Sequence, residues 1–203
     1  MAETMRRLPT QRRSREKVQR ILDAAEELLA SVGYEKAVES PQPLLAASGV
    51  SRGAFYSYFT SPEMAMETVA LGYIERSTEM ADEFAAGDYA DWRELVEHTI
   101  DVYSEYYRTP SVRELWLNGH LSPVAVAADE RGNLYIGTML VESMRRVDPA
   151  AGRKLEVMHG AVAIEILDYL LRFAFRHRSD GDPDLIVEAK RAMVAYLESV
   201  IAK

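Results

Sequence analysis

Apolar residues recur at intervals of three and four along nearly the whole chain, and no stretch shows the sustained alternation of a half-buried strand. A stripe that repeats every roughly 3.6 residues can be buried only as a helix face, so the expected fold class is all-α. Ile21, Leu22, Ala25, Leu28, Leu29 and Val32 make one such stripe, on a helix expected over 14–31 and ended by Gly33. A second helix is expected to open with Ser40 as N-cap and Pro41 in its first turn, and to stop at Ser48 before Gly49. A third, capped by Ser51, is expected over 52–59, and a longer fourth starts behind Ser61 and Pro62. Five more are expected over 91–107, 111–118, 124–146, 152–177 and 183–202, separated by "AAGDYAD", "NGHLSP", "VDPAAG" and "RSDGDPD", for about nine in all.

Composition narrows the function classes. The chain has 203 residues, 48% of them hydrophobic, enough to bury a core in one or two domains. It has no cysteine, which excludes disulfides, thiolate metal sites and thiol catalysis. No two histidines lie three or four apart, so no metal site is expected, and nothing calls for a cofactor. The N-terminal stretch is charged, and no apolar run approaches the roughly 20 residues of a membrane span. A cytoplasmic protein without membrane segments is expected.

The net charge of −8 conceals an asymmetry. Residues 1–62 carry nine Lys and Arg against seven Asp and Glu, while the remainder carries fifteen against twenty-five. Seven of the basic residues, Arg6, Arg7, Arg12, Arg13, Arg15, Lys17 and Arg20, fall in the first twenty positions. A basic arm on an acidic body points to one end that meets a polyanion.

Within "SGVSRGAFYSYF", Gly49 to Gly53 match G-x-S-x-G, the pattern of a hydrolase's nucleophile elbow. An elbow needs a strand ending at the serine and a parallel sheet beside it. The preceding "PLLAAS" is helical in pattern, and only fifty residues lie upstream. Asp168 and His177 do follow in hydrolase order, but single acids and histidines occur in any chain of this size. Two short helices joined by a tight glycine turn read instead as a helix-turn-helix. Gly49 supplies the turn, Val50 fills the space between the helices, and Ser51 caps the second helix, whose N-terminus faces phosphate.

At about 100° per residue, Phe55 and Phe59 stack on one side of that helix as core anchors, and Gly53, Ala54 and Ser57 fall on the other. The small outer face admits close approach to base edges. Arg52 can reach guanine or phosphate, Ala54 a thymine methyl, and Ser57 is an undemanding partner for a base. Tyr56 and Tyr58 are placed for phosphates, as are Arg12, Arg13 and Arg15 of the arm.

"RILDAAEELLASVGYE" followed by "LLAASGVSRGAFYSYFTSPEMAMETV" resembles the N-terminal domain of the TetR family of bacterial transcriptional regulators, over about residues 14–70. The resemblance implies a three-helix DNA-binding domain at 1–60, with the basic arm, and a helical effector-binding and dimerisation domain at 61–203. It further implies a homodimer on a palindromic double-stranded operator, with an effector that alters the spacing of the two reading heads. Carried over by position, Arg52, Gly53, Tyr56, Ser57 and Tyr58 are the DNA-facing set, joined by Ser40 and Gln42 at the start of the second helix. The chain departs from the family where Pro62 stands in place of a frequent basic residue and where "KAVESPQP" lengthens a link.

The last two helices carry broad apolar surfaces, Leu155, Met158, Val162, Ile166, Leu170 and Phe173 on one, and Ile186, Ala189, Met193, Tyr196 and Val200 on the other. They are expected to pair two protomers in a four-helix bundle. For the small-molecule effector, Trp116 and His120 flank a helix break and are the leading candidates, followed by Tyr103, Tyr107, Asn133, Met139, His159 and Glu165. Their chemistry fits a small, largely hydrophobic or aromatic ligand. The reading is a ligand-responsive repressor. The alternatives are a helical adaptor that has lost DNA binding and a serine hydrolase using Ser51.

Overall fold

The computed structural model describes Met5, Arg6 and residues 11–202; Arg7 of the expected basic arm lies outside the described residues. Among these residues there are eleven helices and no strand. They are α1 (Arg12–Ser31), α2 (Tyr34–Val38), α3 (Gln42–Ser48), α4 (Arg52–Tyr56), α5 (Pro62–Ala85), α6 (Trp92–Tyr107), α7 (Pro110–Leu117), α8 (Pro123–Val147), α9 (Pro149–Gly152), α10 (Val157–Phe175) and α11 (Pro183–Ile201). The all-α expectation holds. The two helices beyond the expected nine, α2 and α9, are single turns too short to show a period.

The chain forms two compact units, one made of the residues up to Tyr73 with Pro110–Val126, the other of Ile74–Thr109 with Ala127 onward. In the first, α1 packs against α2, α3 and α7. Its stripe buries Ile21, Ala25 and Leu29, which meet a core holding Leu44, Phe55, Phe59 and Met66. Phe55 and Phe59 are wholly buried with ring centroids 5.7 Å apart, each worth about 1.5–3 kcal/mol of apolar burial. Gly33 ends α1 at φ +80°, and Gly49 ends α3 at φ +62°, a left-handed conformation that costs a side-chain-bearing residue about 1 kcal/mol or more.

Several expected boundaries shift for local reasons. Pro41, not Ser40, holds the N-cap position of α3, and no side chain caps it. The reading helix α4 ends at Tyr56 rather than Phe59, and just beyond it the Ser57 hydroxyl donates to the Gly53 carbonyl at 2.8 Å. The helix expected from Gly152 begins only at Val157, where Glu156 and His159 form a reciprocal capping box.

In the second unit α6, α10 and α11 pack together, and α8 crosses α10 with backbones in contact. A Cβ on Gly160 would stand 2.1 Å from the Gly137 carbonyl oxygen, and one on Gly137 would stand 2.6 Å from the Ala161 nitrogen. Only glycine at both positions permits this approach. Ala189, Met193 and Leu197 of α11 are wholly buried within the chain, and so is Leu155 at 1% exposed, so these residues are not available to a second protomer. The outer face of α10 is different: Met158, Val162, Tyr169 and Phe173 are exposed. Among the described residues no helix is long and apolar enough to cross a membrane.

Candidate nucleic-acid interface and interior cavity

Ser51 sits in extended conformation at the N-cap of α4, and its Oγ accepts the Ala54 N–H at 3.4 Å. The hydroxyl therefore acts on its own helix. Asp168, the acid of a would-be triad, is instead bonded to Tyr107 and Arg172. Val50 is buried in the turn, and the Ser48 hydroxyl donates to the Leu44 carbonyl at 2.6 Å while accepting the Val50 N–H at 3.3 Å. Two turns of helix are thus held at a fixed angle by apolar anchors and local hydrogen bonds.

The outer face of α4 is open. Arg52, Gly53 and Ser57 are exposed, and nothing lies within 4 Å of where a Gly53 Cβ would stand. The Arg52 guanidinium lies 6.0 Å from the Tyr56 ring centroid, the outer limit of a cation–π contact, and makes no ion pair among the described residues. Ala54, Tyr56 and Tyr58 are half-buried at its edges. At the start of α3, Ser40 is half-buried and Gln42 exposed. Arg12, Arg13 and Arg15 are exposed on the first turn of α1, with Arg12 in a surface pair with Glu16 at 3.2 Å that contributes at most about 1 kcal/mol.

One contact was not legible in the sequence. The Arg6 N–H donates to the Tyr58 carbonyl at 2.9 Å and its Nη1 approaches the Tyr56 carbonyl at 3.4 Å, with Met5 buried beside it. A cation at the C-terminal end of α4 also opposes the negative end of the helix dipole.

The expected effector residues separate. Trp116 and His120 belong to the first unit. Trp116 is buried with its ring edge-on to Tyr73 at 6.4 Å, and His120 stacks on Tyr34 at 4.5 Å and 8°. Glu114 organises this corner, accepting the Tyr34 N–H and the Asn118 amide at 2.7 Å each, with His120 Nε2 at 3.6 Å. Trp116 and His120 thus serve packing of α7 on the α1–α2 turn. His159 caps α10, its Nδ1 accepting the Glu156 N–H at 2.9 Å, and Met139 lines a shallow groove with Asp82, Glu142 and Arg146.

Tyr103, Tyr107 and Asn133 do converge. With Ile136, Ile164, Leu167, Leu171 and Asp168 they line a cavity in the second unit. Only about 30 Å³ of it is open to the centre of a water-sized sphere, so it is a narrow slot with room for a few waters. Tyr103 donates to the Ser77 carbonyl at 2.8 Å, and Tyr107 to Asp168 Oδ1 at 2.6 Å. Burial, together with nearby Asp82 for Tyr103 and Asp168 for Tyr107, pushes both phenols well above their ordinary range, so both are neutral donors. Arg172 bonds Asp168 at 2.8 Å and Asp129 at 3.3 Å, and its Nε is buried without an acceptor. Burial works against the Arg172 charge, but the charges of Asp168 and Asp129 and the hydrogen bond to Asp168 outweigh it and raise its pKa. Glu165, at the edge, accepts the Asn133 amide at 3.1 Å. Among the described residues no group of three or more metal-ligating side chains is found.

A tight-turned helix pair with an open, small-residue face, accompanied by a helical unit with its own polar-ended cavity, defines a helix-turn-helix regulator. Residues 21–63 match the family model described as bacterial regulatory proteins, tetR family, and residues 90–201, more than half the chain, match that of the tetracyclin repressor-like C-terminal domain. The chain belongs to the TetR family of transcriptional regulators, DNA-binding proteins that are not enzymes. It is similar to a TetR-family regulator from Streptomyces coelicolor, at 27% identity and TM-score 0.67, over 91% of this chain and 99% of that one. It shares its fold with a putative TetR-family regulator from Mesorhizobium loti, at 17% identity and TM-score 0.66, over 93% and 98%. PfmR from Thermus thermophilus shares it at 22% identity and TM-score 0.59, over 88% and 97%. None of the curated protein sequences compared with it matches.

Proposed function

We propose that this TetR-family regulator is a repressor that binds a palindromic operator as a homodimer and is released by a small, largely apolar or aromatic effector. The carrying observation is the outer face of α4, where Gly53 borders open space on a helix anchored by buried Phe55 and Phe59. Small residues there let the helix backbone approach base edges closely. Arg52 and Ala54 meet bases and Ser57 contacts either. Ser51, Tyr56, Tyr58, Ser40, Gln42, Arg12, Arg13 and Arg15 meet phosphates. Arg6 positions α4 from its C-terminal end. The exposed α10 face, Met158, Val162, Tyr169 and Phe173, is the surface expected to meet a second protomer. The effector site is the cavity of Tyr103, Tyr107 and Asn133, with Glu165 at its edge. Effector and operator must then weaken each other's binding by the same factor.

Selection of bound sequences from random duplex DNA tests this reading. A palindrome is expected, its half-sites about 34–36 Å apart or a multiple of that. Absence of any enriched sequence at low salt would turn the protein into a helical adaptor.

A further inference from the structure

One carboxylate of the first unit reaches across to a helix that lacks a cap of its own, and the operator reading above gives that contact a use. We propose that Glu114 of α7 is a positioning residue for operator recognition: it caps α2 from another element and so fixes where α3 and the reading helix α4 begin.

Helix α2 cannot cap itself. It is a single turn, too short to hold its shape alone, and its N-cap residue is Gly33, which has no side chain to accept the first N–H groups. The Tyr34 N–H donates instead to Glu114 Oε1 at 2.7 Å, eighty residues along the chain. A carboxylate there makes a charge-assisted hydrogen bond and faces the positive end of the helix dipole. Glycine at position 33 serves the contact twice: its φ of +80° is one that side-chain-bearing residues rarely adopt, and a Cβ would press within 3.1 Å of the same carboxylate oxygen.

The cap is itself held in place. Glu114 Oε2 accepts the Asn118 amide at 2.7 Å, and the Glu114 side chain is only 19% exposed. At the start of α7 the Ser111 and Tyr73 hydroxyls meet at 2.5 Å, and Tyr73 donates to Glu26 of α1 at 2.5 Å. A shift of α2 is passed on because the links after it are short. Ala37 of α2 is wholly buried, and α2 packs on α1. Only residues 39–41 separate α2 from α3, and only 49–51 separate α3 from α4. At about 3.3–3.6 Å per residue, such links absorb little movement before α3 follows. Phosphate contacts through long basic side chains tolerate that movement, whereas the close approach of Gly53 and Ala54 to base edges does not.

Fluorescence-anisotropy titration of the full chain against the selected operator and against a random duplex of equal length separates positioning from plain stability. Glu114→Ala is expected to bind the operator about tenfold or more weakly, and the random duplex as tightly as the parent does. Two further variants separate the hydrogen bond from the charge. Glu114→Gln keeps an oxygen for the Tyr34 N–H, with the Asn118 amide turned over to present its own oxygen, and is expected to stay within about threefold of the parent. Glu114→Asp keeps the charge but is one methylene too short, and is expected to fall as Glu114→Ala does. This pair also carries the test if Glu114→Ala does not fold by circular dichroism. Equal losses on both duplexes, an operator affinity unmoved in folded Glu114→Ala, or Glu114→Asp near the parent with Glu114→Gln far below it would each overturn the proposal. Hydrogen exchange reads the cap without DNA: in Glu114→Ala the amides of Tyr34 and α3 are expected to exchange about tenfold or more faster, while those of α10 keep their rates. Unchanged protection in α2 and α3 overturns the proposal as well. The operator reading fails separately, if the parent enriches no sequence, and exchange alone then decides whether Glu114 positions α3.

Discussion

Gly53 lies in a helix where the fold makes no demand for glycine. Nothing stands within 4 Å of its absent Cβ, and alanine has the higher helix propensity by about 1 kcal/mol. Gly53→Ala is therefore expected to leave the melting temperature unchanged or raise it, while weakening operator binding in a gel-shift titration. Equal affinity in the variant would remove the close backbone approach from the recognition scheme. Ser51 was legible as a cap because its partner, the Ala54 N–H, lies three residues away, within reach of a sequence pattern. The surroundings of His120 and Trp116 were not legible: Tyr34, which stacks on His120, and Tyr73, which meets Trp116 edge-on, are remote in sequence, and no local spacing reports such contacts.

Between elements, the crossing of α8 and α10 governs the cavity. Gly137 and Gly160 bring the two backbones into contact, and Asn133 and Ile136 from α8 face Ile164, Leu167 and Asp168 from α10 across the slot. Gly160→Ala places a methyl against the Gly137 carbonyl and is expected to cost about 1–3 kcal/mol, read as a lower denaturation midpoint with unchanged slope. A midpoint equal to the parent's would mean the helices part without penalty. The elements themselves were largely readable from apolar periodicity. Their ends were not: α4 stops at Tyr56, and α10 starts late, where Glu156 and His159 cap it. The α11 stripe shows the limit of the pattern. Periodicity marks a buried face without saying what buries it, and Ala189 and Met193 are covered by their own chain.

For the whole molecule, association of two protomers is the property on which operator binding depends in the function proposed. Tyr169 is 67% exposed and Val162 38% exposed on the α10 face, so glutamate at either position stays hydrated in a single chain. Tyr169→Glu with Val162→Glu is expected to yield a folded monomer in analytical ultracentrifugation, and to lose most of its affinity for a palindrome while keeping weak, salt-sensitive DNA binding. A dimer that survives both changes would place the protomer contact elsewhere.

The all-helical class, the helix-turn-helix and the capping role of Ser51 follow from residues within a few positions of one another, where helix period, glycine turns and caps act. The cavity, the Arg6 strap on α4 and the Asp129–Arg172–Asp168 cluster needed the folded chain. Each joins residues from different elements, and a charge such as Asp168 takes its meaning from the groups packed against it, which spacing along the chain does not encode.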